Sequence, residues 1–303
     1  MLQSISAKHD AHHERRRKNS LASLTASLRD NKTHLLLAAS GSVATIKLPL
    51  IVETLAANHR ARHPQDAGGS GLSIRVLLTP SASRFLAGQS WEQPPVSSLL
   101  SMACVDGVYV DEDEWKEPWK RGDGILHIEL RRWAHLLVIA PLSANTMAKI
   151  AGGFADGILT SVVRAWDAWG ELDSDLTAEE GEAGVNGVPR RRQMKRIIVA
   201  PAMNTAMWRH PITKKQIAVL EDEWGVHSKS SAFAGDQRTA VDTEDESQQS
   251  EKRKAEGEGQ GGGWFEVLRP IQKTLACGDA GTGAMMDWKD IVAVIEDRLG
   301  LNE

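Results

Sequence analysis

The chain has 303 residues, a formal net charge of −4 at pH 7 and only two cysteines. Charges of both signs are dispersed along it, which argues against a nucleic-acid-binding surface, and no apolar run approaches membrane-spanning length. Cys104 and Cys277 are far apart and lack metal-ligand spacing, so we expect no metal site and a reduced, cytoplasmic compartment rather than a disulfide framework.

Three segments have the composition of chain that does not pack. Residues 1–32 carry several histidines and a basic run, with few large apolar residues before Leu21, and we expect a mobile N-terminal arm. Residues 171–193 and 228–263 are rich in charged residues and glycine. Such segments cannot bury enough apolar surface to offset the entropy of ordering. We therefore predict two disordered insertions within one domain that spans residues 33–300.

The first two predicted strands each run into a small polar turn. Residues 34–39 form an apolar run that stops at Ser40-Gly41-Ser42-Val43, and residues 74–78 end at Thr79-Pro80-Ser81. Such turns offer hydroxyl groups and backbone N–H groups at a helix N-terminus, where a phosphate is best stabilised. The first turn is neither a GxGxxG dinucleotide motif nor a P-loop. Together the turns favour a mononucleotide-type cofactor.

A histidine, His127, lies in the apolar stretch 124–133, just ahead of the third predicted strand at 136–140. A lone histidine in such a setting is commonly structural, yet histidine also accepts a proton near neutral pH, so both interpretations stay open. The third strand ends in a proline and then the turn Ser143-Ala144-Asn145-Thr146, which again leads into a helical pattern.

The fourth predicted strand, residues 197–200, is followed by Pro201-Ala202-Met203-Asn204-Thr205-Ala206-Met207-Trp208. Asn204 is thereby predicted at the carboxyl end of a strand, where its amide can contact a ligand or simply cap the next helix. Repeated strand–turn–helix units are typical of a doubly wound α/β sheet, and such sheets bind ligands at the carboxyl ends of their strands.

Residues 275–286 form a glycine-rich segment that carries Cys277. Its glycines predict a flexible flap, and a cysteine in such a loop is more readily a proton donor or nucleophile than a core residue. By contrast, Cys104 has apolar neighbours and is predicted to be a small buried hydrophobe.

Six blocks in order carry a family resemblance. They are Gly41–Ala44, His127–Trp133, Ala140–Thr146, Val163–Asp167, Pro201–Trp208 and Leu275–Met286. With them the chain resembles the phosphopantothenoylcysteine decarboxylases of the homo-oligomeric flavin-containing cysteine decarboxylase family, in a fungal-type form with insertions. The resemblance implies a flavodoxin-like (Rossmann-type) α/β sheet flanked by helices, bound FMN, and a homotrimer with active sites between subunits. The implied cofactor positions are Gly41, Ser42, Val43, Thr79, Phe85, Ser143, Ala144, Asn145, Thr146 and Ala202.

The reaction implied by the resemblance is decarboxylation of 4′-phosphopantothenoylcysteine to 4′-phosphopantetheine, a step of coenzyme A biosynthesis. Oxidation of the thiol carbon by FMN supplies an electron sink, CO2 then leaves to give an enethiolate, and reduction completes the product. In this scheme His127 is the base, Asn204 orients the substrate carboxylate beside Met207, and Cys277 protonates the enethiolate. Ala276 and Gly278 are expected to contact substrate on either side of Cys277.

Two alternatives remain within this resemblance. Some fungal relatives are inhibitory subunits of a protein phosphatase, or supply part of the active site in a hetero-oligomer with a paralogue. Such relatives tend to lack one catalytic residue and to carry an acidic C-terminal tail. The presence of His127, Asn204 and Cys277, and an end soon after a predicted helix at 288–299, favour the enzyme. Peptidyl-cysteine decarboxylation or flavin prenyl transfer is the second alternative. The block at 201–208 counts against prenyl transfer, and the cysteine flap favours complete reduction to a saturated thiol.

Overall fold

A six-stranded parallel sheet forms the centre of the protein in this computed structural model. The structure describes residues 19–64, 71–168, 172, 195–226, 263–274 and 280–302. The sheet strands are β1 (Thr33–Ala39), β2 (Leu72–Leu78), β3 (Val105–Val110), β4 (Leu136–Leu142), β5 (Arg196–Pro201) and β6 (Phe265–Val267). Their spatial order is β3-β2-β1-β4-β5-β6, and every neighbouring pair is parallel. The predicted doubly wound α/β class is confirmed, with the Rossmann-type strand order.

Helices flank this sheet, and a separate antiparallel hairpin follows it in the chain. The helices are α1 (Leu21–Ala26), α2 (Leu48–Arg62), α3 (Pro80–Ser83), α4 (Leu126–Trp133), α5 (Ala144–Ala151), α6 (Ile158–Arg164), α7 (Thr205–Arg209), α8 (Pro211–Ala218) and α9 (Trp288–Arg298). Short 3-10 turns cover Val43–Lys47, Val96–Ser101 and Asp111–Asp113, and a π-helical turn covers Val219–Glu223. The hairpin pairs β7 (Ile271–Thr274) with β8 (Ala280–Ala284). No helix in the described ranges is long and apolar enough to cross a membrane.

The core lies on both faces of the sheet because successive strand residues point to opposite sides. Leu35 and Leu37 of β1 pack with α2 and α9, whereas Leu36 and Ala38 pack with α4 and α6. Both sets are fully buried. Burial on both faces explains why the sequence of β1 is a continuous apolar run and does not alternate between apolar and polar residues.

The N-terminal arm is shorter than predicted. Residues 1–18 lie outside the described residues, but α1 packs on the domain with Leu24 fully buried. Asn19 exchanges two hydrogen bonds with the backbone of Val108 in β3, and Ser27 accepts one from Arg75. These contacts extend the ordered domain back to residue 19. Apart from residues 172 and 263, both predicted insertions lie outside the described residues.

The junction between this N-terminal segment and β1 contains a buried histidine. His34 is 2% exposed, stacks on Trp133 with ring centroids 4.4 Å apart, and places Nε2 2.8 Å from Asp30 Oδ1. Its Nδ1 lies 3.0 Å from the carbonyl oxygen of Trp133. Burial lowers the pKa of His34 below its ordinary value, in spite of the opposing effect of Asp30.

This lowered pKa makes the free energy of unfolding depend on pH. Below about pH 6.5 the unfolded chain protonates His34 more readily than the folded chain, so stability falls as pH falls toward the folded pKa. We expect urea unfolding at pH 7 and pH 5 to show a larger loss of stability for the unsubstituted protein than for His34→Gln. Equal losses would remove His34 from this account.

Candidate cofactor and substrate site

The candidate site lies where β1 and β4 adjoin at the carboxyl edge of the sheet. Loops on either side of this point lead away in opposite directions, which leaves a crevice in doubly wound folds. Ser40 joins the two loops, because its Oγ accepts a hydrogen bond from Ser143 N at 2.7 Å and donates one to the carbonyl oxygen of Pro141 at 3.0 Å. A cavity of about 560 Å³ opens here, a size common for small-molecule sites.

This one cavity is lined by all ten positions that the sequence analysis assigned to a cofactor. They are Gly41, Ser42, Val43, Thr79, Phe85, Ser143, Ala144, Asn145, Thr146 and Ala202. Two assigned substrate positions, Asn204 and Met207, line it as well. Nine further residues line the cavity beyond those assigned as cofactor or substrate positions: Pro80, Ser81, Asp111, Lys149, Asp156, Gly157, Leu159, Thr160 and Met203.

Four helical segments begin at this cavity, each with a polar N-cap side chain. Ser42 Oγ accepts from Ala44 N, Thr79 Oγ1 from Ala82 N, and Ser143 Oγ from Thr146 N, at 3.3–3.4 Å. Asn204 Oδ1 accepts from Met207 N at 2.8 Å. Each helix start leaves further N–H groups without intrahelical partners and carries partial positive charge. This donor set suits an anionic group such as the phosphate of a mononucleotide.

Gly41 allows the loops after β1 and β2 to approach closely. A Cβ atom at Gly41 would lie 2.5 Å from the Cβ of Ser81, far inside van der Waals contact. The absence of a side chain therefore brings both phosphate-type turns to the same cavity wall. This close approach fits a cofactor held by backbone and hydroxyl groups from neighbouring loops.

Asn204 combines the two roles that the sequence left open. Its Oδ1 caps α7, yet the residue is exposed and lines the cavity. With the oxygen used for the cap, the Nδ2 hydrogens are the part of the amide suited to a ligand carboxylate. The chemistry available to Asn204 is therefore hydrogen-bond donation.

Charged groups also line the cavity. Lys149 forms an ion pair with Asp156, and this hydrogen bond lowers the pKa of Asp156. Asp111 accepts a hydrogen bond from Ile158 N at 3.1 Å, and burial raises the pKa of its carboxyl group. The sequence did carry a signal for Lys149, since it lies four residues after Asn145 and so on the same face of α5.

The hairpin β7–β8 packs against the Asn204 turn. Met203 N donates to the carbonyl oxygen of Gly283 at 3.0 Å, and a Cβ at Gly283 would lie only 2.3 Å from the carbonyl oxygen of Met203. Ala276, Cys277 and Gly278 belong to the connection between these strands and lie outside the described residues. Strand β8 thus lies directly against the backbone of Met203, next to Asn204.

His127 does not line this cavity. It lies in the first turn of α4, with Nδ1 2.7 Å from Oε1 of Glu114 and its side chain 20% exposed. Because α4 ends at Trp133, just before the amino end of β4, its first turn points toward the carboxyl edge of the sheet. His127 and the cavity therefore lie at the same edge of the sheet without meeting within one chain.

Comparison with known sequences gives a family match. Residues 23–245 match the family described as Flavoprotein. A phosphopantothenoylcysteine decarboxylase of Arabidopsis thaliana is 34% identical, over 84% of this chain and 80% of its own length. A probable thymidylate synthase of Schizosaccharomyces pombe is 35% identical over 91% of this chain, and Coenzyme A biosynthesis protein 3 of Saccharomyces cerevisiae is 31% identical over 89%. This chain spans only about a third of the length of these two fungal proteins, 31% and 34%.

Solved structures give a matching fold. A cysteine-to-serine mutant of PPC decarboxylase complexed with pantothenoylaminoethenethiol has 33% identity and a TM-score of 0.53, over 90% of this chain and 100% of its own. The FMN binding protein AtHal3 has 34% identity and a TM-score of 0.51, over 88% of this chain and 95% of its own.

Proposed function

Because this chain belongs to the flavoprotein family that includes the phosphopantothenoylcysteine decarboxylases, we propose that it decarboxylates 4′-phosphopantothenoylcysteine to 4′-phosphopantetheine with FMN. The observation that carries this proposal is that one cavity, of about 560 Å³, is lined by all ten expected cofactor positions together with Asn204 and Met207. The relative with bound pantothenoylaminoethenethiol and the FMN-binding relative support the same substrate class and cofactor.

The cofactor assignment explains how a saturated cysteine can lose CO2. Direct loss would leave a carbanion with nothing to delocalise it, whereas bound FMN supplies a reversible two-electron oxidation of the thiol-bearing carbon. The turns at Ser42, Thr79 and Ser143 would hold the cofactor, with its phosphate at their free N–H groups. Phe85 and Ala202 would contribute apolar contact.

The protein side chains bind the substrate and move its protons. Asn204 donates its amide hydrogens to the substrate carboxylate while Met207 packs beside it. His127 accepts the thiol proton, and Cys277, flanked by Ala276 and Gly278, donates a proton to the carbon that lost CO2. Each role uses a residue type suited to it: an amide donor, an imidazole base and a thiol acid.

We also propose that these roles are divided between chains of a homotrimer in the cytoplasm. His127 does not line the cavity of its own chain, so it would serve the cavity of a neighbouring subunit. The cytoplasmic assignment is supported by two cysteines without disulfide spacing.

The test is mass spectrometry of the products formed by the purified, FMN-loaded chain and by Cys277→Ser. We expect the unsubstituted chain to give 4′-phosphopantetheine. The variant lacks the proton donor, so in the absence of oxygen it should release CO2 and give the enethiol, which is two hydrogens lighter than 4′-phosphopantetheine, in at most one turnover per bound FMN, because the two electrons stay on the cofactor. A saturated product from both proteins would contradict the role of Cys277.

The same assay separates the alternatives. An FMN-loaded chain that forms neither product contradicts a self-sufficient decarboxylase. Turnover that returns on addition of a paralogous subunit would then identify a partial-site subunit of a mixed oligomer. Inhibition of a protein phosphatase without turnover would identify the regulatory role.

A further inference from the structure

We infer that Glu114 is a positioning residue for the proposed base, holding the Nδ1–H of His127 so that Nε2 is free to accept a proton. This inference rests on the proposed function for its chemistry and on the pair itself for its geometry. The atoms His127 Nδ1 and Glu114 Oε1 are 2.7 Å apart, the short separation typical of a hydrogen bond to an ionised carboxylate.

The burial of the two side chains is unequal in a way that suits this role. The Glu114 side chain is 5% exposed, while that of His127 is 20% exposed. The carboxylate is therefore shielded from water, and the imidazole keeps a face open to a reactant. In hydrolases with a catalytic triad, a buried acid likewise orients a catalytic histidine that faces the reactant.

The second carboxylate oxygen of Glu114 argues against a purely structural role for the pair. Oε2 of Glu114 is buried and has no hydrogen-bond partner in the described part of the chain. A buried, half-satisfied acceptor destabilises a fold, so a pair kept only for packing is better replaced by apolar side chains. The retained charge favours the imidazolium that forms when His127 takes up a proton.

Both partners are held by rigid local structure. Glu114 directly follows the Asp111–Asp113 turn at the carboxyl end of β3, and its N–H donates to the carbonyl oxygen of Asp111 at 3.2 Å. Asp111 itself lines the cofactor cavity. On α4, the buried Leu126, Leu130 and Trp133 fix the helix on the core. His127 is consequently presented from a packed helix rather than from a free loop.

The substitution Glu114→Gln tests this role because it keeps the shape and removes the charge. The neutral amide can also turn its NH2 toward Nδ1, which selects the tautomer with the proton on Nε2. We expect kcat to fall by about 10²-fold, the upper range for lost support of a histidine, with KM and FMN content unchanged. Glu112→Gln is the matched control, because it removes the charge of an exposed glutamate two residues away and should leave kcat unchanged.

Histidine-ring 15N NMR at pH 8 of the FMN-loaded protein provides a readout that does not need turnover. The His127 signal, identified by its absence in His127→Gln, should report the Nδ1–H tautomer in the unsubstituted protein and a shift toward Nε2–H in Glu114→Gln. An Nε2–H tautomer in the unsubstituted protein overturns the inference. So does an unchanged kcat in Glu114→Gln. If the proposed substrate is not turned over, the tautomer measurement alone decides the positioning role.

Discussion

Asn204→Asp is expected to lower kcat/KM for 4′-phosphopantothenoylcysteine by about 10³-fold, comparable to the loss of a hydrogen-bond donor at a developing charge. Aspartate caps a helix as well as asparagine does, so the bond from Met207 N should persist and α7 should form normally. The substitution removes the donor hydrogens of the amide and places a carboxylate where the substrate carboxylate is expected to bind. Activity should therefore fall without a change in folding.

Steady-state kinetics, FMN content and the midpoint of thermal unfolding together check this prediction. Asn204→Ser is the matched control, because serine also caps but brings neither the amide donor nor a charge. We expect it to lose roughly tenfold in kcat/KM, about the worth of one hydrogen bond to a charged group. If the aspartate variant is as active as the serine variant, Asn204 does not face the substrate carboxylate.

Gly41→Ala is expected to weaken FMN binding by about tenfold or more, because inserting a methyl group into a packed site costs about 1–3 kcal/mol. The new Cβ would lie 2.5 Å from the Cβ of Ser81, so the turns after β1 and β2 must separate. Both turns line the cofactor cavity, and their separation should disturb the set of N–H groups offered to the phosphate.

A compensating substitution shows whether this contact is the cause. Ser81→Gly removes the Cβ that the new methyl group at position 41 would strike, so the double variant should recover most of the FMN affinity lost by Gly41→Ala. The FMN affinity is measured from the quenching of flavin fluorescence as FMN is titrated with FMN-free protein. The unsubstituted protein, the two single variants and the double variant together form a double-mutant cycle. Additive losses in the double variant would place the defect elsewhere than the Gly41–Ser81 contact.

The strands at the centre of the fold were predicted well from the sequence. A strand that is buried on both faces is recognisable because nearly all of its residues are apolar. β1, β4 and β5 are nearly continuous apolar runs, and β2 is apolar apart from the buried Ser73 and Arg75; each of the four contains its predicted strand. β3 was missed because Asp106 and Gly107 interrupt it, and Asp106 instead accepts a hydrogen bond from Ser73 at 2.6 Å. β6 has only three residues, too few for any periodicity to be read.

The candidate site was predicted less completely, for a geometric reason. Turns that directly follow a recognised strand, such as those at Ser42 and Ser143, could be assigned to the carboxyl edge from the sequence. Asp111 follows strand β3, which was not predicted, and Asp156 and Gly157 lie in the connection between α5 and α6. None of these residues therefore follows a predicted strand, so the sequence did not place them at the carboxyl edge of the sheet. His127 does not line the cavity of its own chain, a relation between distant segments that local patterns do not encode.

The most direct test of the account measures CO2 release and 4′-phosphopantetheine formation by the purified chain, before and after removal of FMN. We predict equal amounts of the two products from the FMN-loaded protein, no turnover from the FMN-free protein, and recovery when FMN is added back. Equal turnover with and without FMN would contradict the proposed mechanism. An FMN-loaded chain that releases no CO2 would contradict the proposed function.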